Sequence, residues 1–85
     1  MIFSIEPLPK KLQRKIKHYN LNKVFSKQVG LLTKNSKHPS LNVELLEPKK
    51  FGIYSFRIDR KFRALFIFRP DKKTIEIINI TLHYH

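Results

Sequence analysis

Arg57 and Arg63 stand three residues either side of Arg60 in the stretch 53–68, which reads IYSFRIDRKFRALFIF. Apolar and polar residues alternate on both sides of Asp59-Arg60-Lys61, so the stretch reads as two antiparallel strands joined by a tight turn. With the turn centred on Arg60, Ile58 faces Phe62, Arg57 faces Arg63 and Phe56 faces Ala64. Two arginines directly across a ladder repel each other. An anion between or beside them is the simplest reason for the chain to tolerate the pair. The final strand carries Thr81 and His83 at the same parity. If Arg63 faces Asn79 or Thr81, then Arg57, Arg63, Thr81 and His83 converge, and two guanidiniums with an imidazole form a phosphate-sized site. The plainer reading is that Arg57 and Arg63 make surface ion pairs with Asp59, Glu44 or Glu47. His18 and His38 have no such setting, and His85, the last residue, is undetermined.

These side chains need a scaffold, and the rest of the pattern describes one. Residues 1–5 (MIFSI) are short and apolar, as in an opening strand. Pro7 and Pro9 then lead into a helix whose apolar stripe is Leu8, Leu12, Ile16 and Tyr19. Asn20 or Asn22 is placed to cap a second helix, with the stripe Leu21, Val24, Phe25, Val29 and Leu32. A loop follows over residues 35–40, then a strand over 41–46, a break at Glu47-Pro48-Lys49-Lys50, the hairpin, and a last strand over 74–84. Parity assigns Tyr54, Phe56, Ile58, Phe62, Ala64, Phe66, Phe68, Ile78, Ile80 and Leu82 to a core face. The opposite face takes Ile53, Ser55, Arg57, Arg63, Leu65, Ile67, Ile75, Ile77, Asn79, Thr81 and His83. The expected architecture is α+β: a small antiparallel sheet with both N-terminal helices packed on one face, all within one domain over 1–85.

The totals narrow the function classes. The chain has 85 residues, no cysteine, and 18 Lys+Arg against 6 Asp+Glu, a formal charge of +12. The absence of cysteine removes disulfides, zinc fingers and cysteine nucleophiles. No apolar run is long enough for a membrane span and no signal peptide opens the chain, so a soluble cytoplasmic protein is expected. Between Pro7 and Val43 there is no acidic residue. Nucleic acid is the first partner such a charge calls for, an acidic protein the second and an anionic membrane surface a distant third.

Residues 52–58 (GIYSFRI), 60–66 (RKFRALF) and the closing 80–84 (ITLHY) resemble the RelE/ParE toxin superfamily of type II toxin–antitoxin systems. The resemblance is closest to the YoeB-like mRNA interferase branch, whose chains end in a histidine–tyrosine pair. It is specific over residues 39–85 and architectural over the N-terminal half. It implies an endoribonuclease that cuts mRNA on the ribosome, needs neither metal nor cofactor, and is silenced by a cognate acidic antitoxin. The ribose 2′-hydroxyl attacks the adjacent phosphate and expels the 5′-oxygen, which calls for a base, a positive clamp and an acid. By resemblance Glu44, eight residues before Gly52, is the base, Arg63 the clamp and His83 the acid. Tyr84 positions substrate, and Arg57, Lys49 and Lys50 hold flanking phosphates. His85 follows the His-Tyr pair, so either His83 or His85 can be the acid. Two other functions stay open: a ParE-like gyrase-poisoning toxin without nuclease activity, and a non-catalytic basic module on RNA.

Overall fold

The computed structural model describes residues 3–82. Strand β1 (Ser4–Ile5) is followed by helices α1 (Lys10–His18) and α2 (Asn22–Lys34), then β2 (Glu44–Leu45), β3 (Tyr54–Arg57), β4 (Phe62–Arg69) and β5 (Thr74–Leu82). Single 3-10 turns at Pro39–Leu41 and Lys49–Phe51 bracket β2. The strands form one five-stranded sheet in the order β1-β5-β4-β3-β2. Strands β2 to β5 make the expected antiparallel meander, and β1 extends it by pairing parallel with β5. No helix among the described residues is long and apolar enough to cross a membrane.

The helices cover one face of the sheet because their apolar stripes meet its apolar parity. Leu12 and Ile16 from α1, and Phe25 and Leu32 from α2, are buried together with Phe56, Phe62, Ala64, Phe66 and Ile80. Each of the Leu, Ile and Phe side chains contributes roughly 1.5–3 kcal/mol on burial, so the set holds the register against a slip that would turn it to water. Helix α1 ends where Asn20 enters the left-handed region at φ 56°. There the Leu21 amide donates to the Ile16 carbonyl and the Asn20 amide to that of Lys17, satisfying carbonyls that the helix end leaves open. This overturns the capping expectation for α2. Its first flanking residue is Leu21, with no side-chain cap, because Asn20 is committed to ending α1 and Asn22 already lies in the helix.

Strand β2 is also shorter than its apolar run implies. Leu41 belongs to a 3-10 turn and is fully buried, and Asn42 is left-handed at φ 45°, so only Glu44 and Leu45 pair.

The larger departure is in β5. Leu65 pairs with Asn79 but Phe66 pairs with Ile77, so Ile78 is an unpaired extra residue, a β-bulge. A bulge shifts parity by one. Ile75 and Ile77, expected on the outer face, are therefore buried under the helices, and Ile78, expected in the core, is exposed. The same shift carries Glu76 to the outer face, where it accepts a hydrogen bond from Arg69 Nε at 2.7 Å. That bond, with the nearby Glu76 and Glu6 charges, raises the Arg69 pKa above its ordinary value. Glu6, just beyond β1, lies 3.3 Å from the same guanidinium, so one arginine ties β1 to the β4–β5 hairpin.

Candidate functional site

The hairpin between β3 and β4 has the register its sequence demands: Arg57 is opposite Arg63 and Phe56 opposite Ala64. Asp59 makes the turn, its Oδ1 accepting the amides of Lys61 and Phe62, both at 2.8 Å. A short acidic side chain that folds back on its own turn is a recurrent turn device, and it spends the carboxylate there rather than on either arginine. On the other side of β4, Arg63 pairs with Thr81. The outer face thus brings Arg57, Arg63 and Thr81 into one row across three strands.

Glu44 joins them from β2. It pairs with Ser55, which pairs with Leu65, so Glu44 shares the outer face. Arg63 extends from β4 across β3 to reach it: Nη1 lies 3.6 Å from Glu44 Oε2, and Nη2 donates to the Asn42 carbonyl at 2.8 Å. The Asn42 amide in turn donates to Glu44 Oε1 at 3.4 Å. Of the plainer pairings considered for the arginines, the one with Glu44 is present.

Burial separates the members of this cluster. Arg63 is only 8% exposed, whereas the Glu44 side chain is 50% exposed and Arg57 is open to solvent. Arg63 Nε and Ser55 Oγ are buried with no hydrogen-bond partner among the described residues. Like charges directly across a ladder repel each other. The chain relieves that repulsion by turning Arg63 toward a carboxylate. One carboxylate against two guanidiniums leaves the patch positive by one charge, and the unspent charge is on Arg57.

The anchoring residues are ones that motif reading passes over. Gln28, buried in α2, donates to the carbonyls of Arg57 at 2.8 Å and Ser40 at 3.2 Å. It thereby fixes the end of β3 and the turn that leads to Asn42. Its signal was legible, as the one polar residue within the stripe between Phe25 and Leu32. Asn42 carried a weaker one: asparagine is among the few residues that enter the left-handed region readily.

Lys49 and Lys50 are exposed on the 3-10 turn that precedes β3. They lie at the Tyr54 end of that strand, with Arg57 at the other, so the structure does not gather them with the arginines. His83, Tyr84 and His85 lie outside the described residues. Among the described residues no group of three His, Cys, Asp or Glu side chains is close enough together to hold a metal ion.

No family model and no curated protein matches this sequence. Solved structures do match. A YoeB/ParE toxin from Agrobacterium tumefaciens superposes with a TM-score of 0.71 at 14% identity, over 99% of this chain and 100% of that one. A chain from the heterotetrameric complex of YoeB–YefM toxin–antitoxin from Staphylococcus aureus superposes with a TM-score of 0.67 at 18% identity, over 96% of this chain and 95% of that one. At these identities a likeness is one of architecture, and on that ground the chain has the fold of the YoeB/ParE toxins.

Proposed function

We propose that this protein is the toxin of a type II toxin–antitoxin pair and a metal-free endoribonuclease that cleaves mRNA on the ribosome. The observation that carries the reading is the Arg63–Glu44 contact at 3.6 Å on a face shared with Arg57 and Thr81, in a chain with the YoeB/ParE fold. A half-exposed carboxylate backed by a buried guanidinium can accept a proton from a ribose 2′-hydroxyl. The 2′-oxygen then attacks the adjacent phosphorus, and the bond to the 5′-oxygen breaks to leave a 2′,3′-cyclic phosphate and a 5′-hydroxyl. The arginine pair supplies positive charge beside that phosphate. His83 is the proposed donor to the leaving 5′-oxygen, with His85 the alternative, and Tyr84 the residue that seats the substrate. Lys49 and Lys50 provide a separate basic edge for RNA beyond the reacting phosphate. The Staphylococcus aureus neighbour is assembled with YefM, which supports an acidic antitoxin as partner for a chain of formal charge +12.

Expression of the protein without a partner tests the reading. Growth arrest with cleavage inside translated mRNA is the expected result. Glu44→Gln removes the base and lowers cleavage by roughly 10²–10⁴-fold. Gyrase-dependent DNA breaks with intact mRNA mean a ParE-like poison instead. Arrest without either lesion leaves a non-catalytic basic RNA-binding module, the reading favoured if Arg63 and His83 prove replaceable.

A further inference from the structure

Two arginines face each other across the β3–β4 ladder, but they are not equivalent. Arg63 is 8% exposed, its Nη2 is held by the Asn42 carbonyl, its Nη1 lies beside Glu44, and its Nε is buried. Little of that guanidinium is left to meet an incoming anion. Arg57 is exposed and makes no ion pair among the described residues, and its backbone is pinned by Gln28. Both lie in the same row of the outer face, so a phosphate approaching that row finds the exposed Arg57 more accessible than the buried Arg63.

We infer that only one of the pair touches RNA: Arg57 contacts phosphate, as the family resemblance implies, whereas Arg63, the clamp by that resemblance, is a positioning residue. Arg63 acts through Glu44, holding its carboxylate aimed, and is itself aimed by Asn42. The left-handed backbone of Asn42, φ 45°, turns one carbonyl onto Arg63 and one side-chain amide toward Glu44. A single residue thus grips both ends of the contact. This division of labour rests on the nuclease reading for its kinetic consequences, but the contact between Arg57 and phosphate does not.

Binding of a single-stranded RNA oligonucleotide, measured by fluorescence anisotropy over a salt series, separates the two arginines. Each phosphate contact on a single strand contributes about 0.7 to the slope of log K against log salt. Arg57→Ala is expected to reduce that slope by about one such increment and to raise KM for cleavage. Arg63→Lys keeps the charge but loses the two-armed grip, so it is expected to leave the slope and KM unchanged and to lower kcat by roughly 10²-fold, as loss of a functioning base does. If Arg63→Lys does not fold, as judged by its thermal melt, Asn42 supplies the second handle. Asn42→Ala disfavours the left-handed backbone and is expected to lower kcat at constant slope, and Asn42→Gly, which keeps that backbone, is expected to restore most of it. The inference is overturned if Arg63→Lys or Asn42→Ala reduces the salt slope while Arg57→Ala does not. It is equally overturned if Arg57→Ala binds and cleaves like the parent. A parent protein that binds RNA without cleaving it sinks the nuclease reading, and the slopes still decide which arginine touches phosphate.

Discussion

Gln28 is the residue on which the outer-face cluster hangs, although it lies on a helix on the other side of the sheet. Its amide donates to two carbonyls, of Arg57 and Ser40. Replacing it with leucine preserves bulk and removes both part-buried bonds. Such a loss costs roughly 1–3 kcal/mol, so Gln28→Leu is expected to lower the urea midpoint without changing the slope of the transition. An unchanged midpoint would mean that water takes over both carbonyls. Asp59 and Asn42 act on the same scale, each spending a polar side chain on local backbone or on a neighbour rather than on substrate. What the sequence alone could not reveal at this scale is burial. Arg57 and Arg63 are the same residue type at mirror positions in a hairpin, and only the turn through Asn42, which sets where β2 lies, makes one of them inaccessible.

Among the elements, the β3–β4 hairpin was the most legible in the sequence and β5 the least. The hairpin is fixed by strict alternation about a turn whose acid cements it, so its register follows from counting. Counting fails in β5 because the run Ile75-Glu76-Ile77-Ile78 offers two apolar residues in succession, and parity alone cannot say which one is the bulge. The structure places Ile77 in the core, 2% exposed, and Ile78 outside, 37% exposed. Two identical substitutions therefore have opposite outcomes. Ile77→Ala is expected to cost about 2–5 kcal/mol, as buried truncations do, and Ile78→Ala to stay within about 0.5 kcal/mol, as surface changes do. Chemical denaturation of the two variants measures the difference, and equal costs would place the bulge elsewhere. The position of Glu44 was hidden for a related reason. The residues on either side of β2 form 3-10 turns, which break the alternation that would have assigned its face.

At the scale of the whole molecule, the charge opposes the fold. Helices α1 and α2 carry no acidic residue, and the chain as a whole bears a formal +12. Such an excess repels itself in the compact state. Raising ionic strength from about 10 mM to about 150 mM shortens the Debye length from about 30 Å to about 8 Å, so Tm is expected to rise over that interval. A scanning-calorimetry series in sodium chloride checks this, and a falling Tm would show that the ion pairs Arg69–Glu6–Glu76 and Arg63–Glu44 outweigh the repulsion. Apolar stripes and turn residues made the two-layer architecture readable from the sequence. The parallel docking of β1 on β5 was not readable, because two residues carry too little pattern to state a direction.

The outer-face cluster draws on a short stretch of chain. Asn42, Glu44, Arg57 and Arg63 all lie within the two hairpins built from β2, β3 and β4, and the helical half contributes one amide, from Gln28. Elsewhere the fold asks only for apolar side chains at the right spacing, a demand that many residues meet equally well. The helices of such a protein can exchange nearly every residue without disturbing the cluster, as long as the stripe and the one glutamine's reach survive. Such a fold keeps its shape while its letters change, so its likeness to other chains is seen in superposed backbones, as at 14 and 18% identity here, and not in strings of letters.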